Sequence, residues 1–517
     1  MQNIVLIIRD GWGINPNPKY NAIANARTPN MDLFLKKYPY AVLESAGESV
    51  GLPPDYQGSS EVGHLNIGAG RIVEQELKRI NEAIKDGSFF KNPNFQKAIS
   101  NCKDNNSCLH LMGLVQDEGV HSHQEHLFAI MKYAKEQNIG KLLIHFFADG
   151  RDTPPKSALE FLRTLNEKIS EYQIGKIATV MGRYYAMDRG ANWNLTTNAY
   201  ELLTRAMGGR VNTPEEAIQT AYQQGLTDEY ITPTIIGDFA GIKGGLPRNG
   251  DSVIHFNYRQ DRAIQLTRAF VDDDYPGQRG RKLDIVYCGL TRYYDTFPYY
   301  ILEPMDESEG MENLLGEVIS NHGLTQLRIS ETQKFRHVTS FFNGKLIEPY
   351  KNEERIEIKS IYDPATFAEH PEMNAFDVTE RVIKEIKSDR FNFIVLNLAN
   401  GDMVGHTGNY QSAIKAVEVV DECVGKVVET VLSENGIALV TSDHGNAEEM
   451  LDYKTGLTKT AHTKNPVEFI YIADDYKDIK LKNRGILSDI APTILYLLGI
   501  EKPKEMSSER LILPRFK

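Results

Sequence analysis

Asp402 and His406 stand four residues apart in the segment Asn-Gly-Asp-Met-Val-Gly-His-Thr-Gly. Asp443 and His444 are adjacent in Thr-Ser-Asp-His-Gly-Asn, and His462 sits in Thr-Ala-His-Thr-Lys-Asn-Pro. With Asp10 they make three carboxylates and three imidazoles. A mixed oxygen and nitrogen set suits Mn²⁺, Zn²⁺ or Co²⁺ better than Ca²⁺. Six such ligands exceed what one catalytic ion takes from protein while keeping an open position, so two ions follow more naturally. Any one of these residues alone reads as a cap or a hydrogen-bonded loop residue. Three such clusters after strand-like runs point to a metal centre.

A nucleophile is offered by the segment 51–71, GLPPDYQGSSEVGHLNIGAGR. It is rich in Gly and Ser, and Val62, Leu65 and Ile67 suggest a packed loop. A serine hydroxyl needs a base or a metal to favour its alkoxide. Two metals also clamp the attacking and leaving oxygens of an in-line phosphoryl displacement. Ser59 and Ser60 both meet this description.

Arg151, Arg183, Arg189, Arg259 and Arg262 form a second chemical group. Guanidinium forks match phosphate and carboxylate in bidentate geometry. Asp152 and His123 are candidates for general acid or base among them.

These residues need elements to hold them. Seven short apolar runs each end in chemistry: Ile4–Ile8 before Asp10, Leu109–Val115 before His121 and His123, and Leu142–Phe147 before Asp149, Arg151 and Asp152. Ile177–Val180 precedes Arg183 and Arg189, and Val253–Phe256 precedes Arg259 and Arg262. Phe393–Leu398 leads to Asp402, and Ile437–Val440 to Asp443. Amphipathic stretches such as Leu77–Ile84 and Met311–Ile319 alternate with the runs, which predicts βαβ units and mostly parallel sheets. Ligands of such sheets bind at the carboxyl ends of strands.

Asp and His clusters lie at the two ends of the chain, and Arg-rich clusters lie between them. A discontinuous metal-binding domain, 1–75 and 309–517, interrupted by an anion-binding domain, 76–308, accounts for this order. The crossings are expected near Glu74–Glu76 and within the acidic stretch 303–310.

The 517 residues suffice for two to four domains. A formal net charge of -12 argues against nucleic acid or an anionic membrane as the partner. No run of 18 apolar residues predicts a membrane span. The N-terminus has no basic lead, and its apolar stretch is too short for a signal peptide. Four scattered cysteines fit a reducing cytoplasm.

The motifs as a set resemble the cofactor-independent phosphoglycerate mutase family, in the alkaline phosphatase superfamily. The matching segments run in family order. They include Asp10-Gly-Trp-Gly, Ser60-Glu-Val-Gly-His, Gly119-Val-His-Ser-His, Gly150-Arg-Asp-Thr, Gly182-Arg-Tyr-Tyr and Asn257-Tyr-Arg-Gln-Asp-Arg. Lys334-Phe-Arg-His, Asp402-Met-Val-Gly-His, Ser442-Asp-His-Gly-Asn and Ala461-His-Thr complete the set. The resemblance implies an alkaline-phosphatase-like, mostly parallel sheet flanked by helices, with a second α/β domain inserted. It implies Ser60 as the phosphorylated nucleophile, which interconverts 3- and 2-phosphoglycerate without bisphosphoglycerate.

One metal would be held by Asp402, His406 and His462, and the other by Asp10, Ser60, Asp443 and His444. Mn²⁺ is the foremost expectation, with Mg²⁺, Zn²⁺ or Co²⁺ as alternatives. His123, Arg151, Asp152, Arg183, Arg189, Arg259, Arg262 and Lys334 would hold the substrate, with Asp152 moving the hydroxyl proton. A monomer is expected. Ser59, Gln116, Glu118, Asn192, Gly401 and Arg9 depart from the family's usual pattern.

Overall fold

The computed structural model describes residues 2–237, 246–303 and 311–514. The chain divides into two compact units, Met1–Gln75 with Ser308–Lys517, and Glu76–Glu307. Most of the expected second crossing, 304–310, lies outside the described residues.

The strands in chain order are β1 (Ile4–Arg9), β2 (Tyr40–Glu44), β3 (Leu109–Leu114), β4 (Leu142–Ala148) and β5 (Lys176–Gly182). Next come β6 (Gly209–Val211), β7 (Thr234–Ile236), β8 (Ser252–His255), β9 (Val286–Thr291) and β10 (Tyr300–Leu302). The last six are β11 (Gln326–Glu331), β12 (Glu353–Ile358), β13 (Phe393–Leu398), β14 (Ile437–Thr441), β15 (Val467–Ile472) and β16 (Arg484–Ile486). The sheet of the first unit runs β12-β11-β13-β1-β14-β15-β2-β16, and that of the second runs β10-β9-β8-β3-β4-β5-β7-β6. Among the named strands of the described residues, only β15, against both its neighbours, and the β5–β7 pair are antiparallel. The α/β, mostly parallel architecture expected from the alternation is what the chain adopts.

β1 shows why its sequence is a strand. All six residues are buried, and four of them are β-branched. Val5 and Ile7 pack into one apolar core, while Ile4, Leu6 and Ile8 pack into the core on the opposite face. Helices cover both faces of a parallel sheet, so a central strand reads as continuous apolar sequence instead of alternating. The Tyr410–Ser433 helix supplies nine buried apolar residues, from Ala413 to Val431, to one of these layers. Among the described residues no helix is long and apolar enough to cross a membrane.

Two local readings are corrected. The stretch expected to be helical from Met311 forms a helix only over Leu315–Asn321. Asn313 takes a left-handed φ of 55°, and its N–H donates to Glu317 Oε2 at 2.6 Å, so the helix starts after it. The segment read as a packed loop forms a helix over Ser60–Ala69. Its glycines are contact points, for a Cβ at Gly63 would come within 2.6 Å of the Asp443 carbonyl oxygen.

Candidate metal centre and arginine cluster

Four adjacent strands of the first unit, β11, β13, β1 and β14, run parallel and end at one rim. Lys334 follows β11, in the helix Thr332–Arg336. Asp402 follows β13, in the helix Asn400–Gly405. Asp10 follows β1, and Asp443 and His444 follow β14. His462 precedes β15, which runs antiparallel to β14, so the start of β15 meets the same rim. Sheet topology thus collects residues that lie hundreds of positions apart in sequence. Gly11 closes the turn after β1 at φ 74°, and a Cβ there would come within 2.7 Å of Asp402 Cα. Only glycine meets both demands, the left-handed φ and the close approach.

Asp10, Ser60, Lys334, Asp402, Asp443 and His444 are all buried. Ser60 Oγ lies 2.9 Å from His444 Nε2 and donates to Asp10 Oδ1 at 3.1 Å. Lys334 Nζ donates to Asp10 Oδ1 at 2.7 Å, to Asp402 Oδ2 at 2.6 Å, and to Ser60 Oγ. Asp402 Oδ1 lies 3.1 Å from the Nε2 atoms of both His406 and His462. Ser59 faces elsewhere in function: its Oγ caps the helix by accepting from Val62 N–H at 3.4 Å. Ser60 alone of the two serines stands inside the cluster.

Charge organises the site. Burial opposes ionisation of Asp10, but the Lys334 ammonium and His444 outweigh it and hold the carboxyl well below the usual carboxylate range. Asp402 is likewise low, with burial outweighed by His406 and Lys334. Burial disfavours a charged His444, yet Asp443, Asp10 and Asp402 together raise it to about 10. Burial and His444 push His462 down to about 4.

The residues fit divalent ions. Asp402, His444 and His462 can bring one ligand atom each within 4.8 Å of one another, and so can Asp10, Asp443 and His444. His406 Nε2 lies 3.0 Å from His462 Nε2, beside the first set. Asp443 accepts from the N–H groups of Gly11 and His444 on Oδ1, while its buried Oδ2 has no hydrogen-bond partner. A buried carboxylate oxygen that accepts no hydrogen bond, with only the imidazoles of His64 and His444 near it, is what an ion would use.

Sequence reasoning missed two residues here. His64 Nδ1 donates to the Ser60 carbonyl at 2.9 Å and lies 3.2 Å from Asp443 Oδ2. Asn397 Nδ2 donates to Asp10 Oδ2 at 2.7 Å and reaches His64 Nε2 at 3.1 Å. The signals existed. His64 is one helical turn from Ser60, and Asn397 is the lone polar residue of an otherwise apolar strand.

The second unit repeats the design with different chemistry. β8, β3, β4 and β5 are adjacent and parallel. His121 and His123 follow β3, Asp149 to Asp152 follow β4, Arg183 and Arg189 follow β5, and Arg259 and Arg262 follow β8. The buried Arg183 donates from Nη1 to Asp149 at 2.7 Å and to Asp152 at 2.5 Å. Arg189 reaches Asp261 at 2.6 Å, and Arg259 reaches the other oxygen of Asp261 at 3.2 Å. Arg151 pairs with Glu229 at 2.7 Å. Arg262 Nη1 donates to the Met187 carbonyl at 3.1 Å. Burial, then Arg183, Arg189 and Arg151, lower Arg262 to about 10. Burial and the same crowd of cations hold His121 well below its ordinary value. Asp149, Glu229 and Asp261, which orient these arginines, were not singled out as partners from sequence.

The departures have local partners. Arg9 is buried and donates to Glu468 at 3.0 Å, with its guanidinium 4.6 Å from the Trp12 ring. Gln116 Nε2 donates to the Ser122 carbonyl at 3.0 Å. At Gly401 a Cβ would come within 2.6 Å of the Asp10 carbonyl oxygen.

Fold and sites together define an α/β protein with a carboxylate–imidazole centre around a serine in one unit and an arginine-rich cluster in the other. The family description "BPG-independent PGAM N-terminus" matches residues 80–295. The 2,3-bisphosphoglycerate-independent phosphoglycerate mutase 2 of Methanosarcina barkeri is 49% identical, over 98% of this chain and 98% of that protein. The enzyme of that family from Clostridioides difficile is 48% identical, over 98% and 99%. The crystal structure of Leishmania mexicana phosphoglycerate mutase at low cobalt concentration superposes with a TM-score of 0.81 at 31% identity, covering 99% of this chain and 98% of that one. The chain belongs to the 2,3-bisphosphoglycerate-independent phosphoglycerate mutase family.

Proposed function

We propose that the protein interconverts 3-phosphoglycerate and 2-phosphoglycerate through a phosphoserine at Ser60, without bisphosphoglycerate. The observation that carries the reading is the Ser60 hydroxyl, buried among Asp10, His444 and Lys334 in a chain 49% identical to a named mutase. The metal centre would hold two divalent ions, with Mn²⁺ the foremost candidate. Asp402, His406 and His462 would hold one, and Asp10, Ser60, Asp443 and His444 the other. When bound, the ions supply positive charge to the phosphoryl oxygens and favour the ionised serine.

The chain's own residues do the rest. His123, Arg151, Arg183, Arg189, Arg259 and Arg262 bind the phosphoglycerate, with guanidinium forks matched to its phosphate and carboxylate. Ser60 Oγ attacks phosphorus and the bond to the glycerate oxygen breaks. Asp152 delivers a proton to that oxygen, then takes one from the other glycerate hydroxyl, which attacks the phosphoserine and frees Ser60. Lys334 keeps an ammonium beside Ser60 through the transfer. Burial opposes its charge, but Asp10 and Asp402 overcome this and raise its basicity further. The location proposed is the cytoplasm, and the oligomeric state proposed is a monomer.

The test is an assay on 3-phosphoglycerate with no bisphosphoglycerate, with Mn²⁺ titrated into chelated protein. The reading expects 2-phosphoglycerate to form as Mn²⁺ is added, and trapped enzyme to carry phosphate on Ser60 by mass spectrometry. Full activity after exhaustive chelation, or phosphate on another residue, would overturn it.

A further inference from the structure

One buried carboxylate has no part in the reading above. Glu448 is wholly buried. Its Oε2 accepts from the backbone N–H of Gly13 at 3.0 Å and of Asn446 at 2.8 Å. Its Oε1 accepts from the Thr463 hydroxyl and from Asn465 Nδ2 at 3.0 Å. Among the described residues no lysine or arginine forms an ion pair with it. A buried carboxylate without a cation is costly, and its charge is tolerated only where several donors converge on it.

The donors are not a random set. Gly13 lies three residues after Asp10, Asn446 two after His444, and Thr463 one after His462. Asn446 in turn donates from Nδ2 to Asp402 Oδ1 at 3.3 Å. The backbone is shaped to this carboxylate. A Cβ at Gly13 would come within 2.5 Å of the Glu448 side chain, and one at Gly445 within 2.3 Å.

We infer that Glu448 is a positioning residue of the metal centre, whose carboxylate ties together the three loops that carry Asp10, Asp443–His444 and His462. The inference rests on the metal reading above. Groups that orient metal ligands without touching the ion typically contribute a factor of roughly 10 to 100 to affinity. Packing alone would not need a carboxylate, because an apolar side chain of similar volume would fill the space without four donors.

The experiment counts free Mn²⁺ by its electron paramagnetic resonance signal, with the full chain, below the melting temperature of each variant. Glu448→Gln should bind Mn²⁺ roughly 10- to 100-fold more weakly than wild type, since its amide must turn an N–H₂ toward two of the donors. Thr463→Val removes one donor to Glu448, along with the hydroxyl that accepts from the Asn465 backbone N–H at 3.2 Å, and should weaken binding in the same direction by less. A purely structural residue would lower the melting temperature of the chelated protein while leaving Mn²⁺ affinity of the folded variant unchanged, and that result overturns the inference. If Glu448→Gln does not fold, Thr463→Val decides, and unchanged affinity rejects the inference. Absence of Mn²⁺ binding by the wild type would defeat the metal reading itself, and this inference with it.

Discussion

The Nε2 atoms of His406 and His462 lie 3.0 Å apart, and each lies 3.1 Å from the same oxygen of Asp402. Two ring nitrogens that face each other this closely cannot both carry protons. His462, lowered to about 4 by burial and His444, is the one without. For His406 burial works against the charge, but Asp402 raises it above its ordinary value. His444 is raised to about 10, so the metal-free centre keeps its proton at pH 8. Metal ligation needs the neutral imidazole. Mn²⁺ binding at pH 8 should therefore expel at least about one proton, and affinity should weaken on acidification. Calorimetry in two buffers of different ionisation heat measures this directly. Identical heats in both would remove His444 from the ligand set.

The two serines separate function from structure. Ser60→Ala should abolish mutase turnover while Mn²⁺ still binds. Ser59→Ala should keep most activity and lose about 1 kcal/mol of stability, as helix caps do. Turnover and urea midpoints for both variants decide it. Substantial activity in the Ser60 variant would sink the nucleophile assignment.

Arg262→Ala leaves every proposed metal ligand intact. Loss of one charge-assisted contact to substrate is worth about 2–4 kcal/mol, or roughly 30- to 1000-fold in rate. A loosely held glycerate also leaves the phosphoserine open to water. Free phosphate released per 2-phosphoglycerate formed should therefore rise, and both products are read from one sample. Wild-type turnover would show that this arginine is no part of the substrate clamp.

Arg9 and Glu468 test a structural claim. Glu468→Ala leaves the Arg9 guanidinium buried without its anion, which costs about 3–5 kcal/mol. The melting temperature of the chelated protein should fall accordingly. An unchanged value would mean that the Trp12 ring and backbone carbonyls suffice for the cation.

Much of this was legible because parallel sheets leave a simple trace. Runs such as Phe393–Leu398 coincide with β13, and the polar residues just beyond such runs stand at the strand ends where ligands bind. What escaped was whatever is set by contacts distant in sequence. The glycines of the helix Ser60–Ala69 read as loop formers, because nothing local reveals that Gly63 faces the Asp443 carbonyl. Asn397 hides in an apolar strand, and its meaning depends on Asp10 across the sheet. Arg9 looks misplaced until Glu468, on β15, supplies its anion. The partner of Arg189 was unreadable for the same reason, since Asp261 lies 72 positions further along the chain.

The centre of the first unit's sheet is a strand whose two partners are synthesised long after it. β1 pairs with β13 and β14, Ile4 lying against Phe393 and Ile437. At about 5–20 residues per second, its neighbours emerge some tens of seconds later. For all of that time the five consecutive apolar residues Ile4–Ile8 have no native sheet partner. The nascent chain is thus suited to anything that shelters exposed β-sequence until β13 and β14 have emerged and β1 can take its place between them.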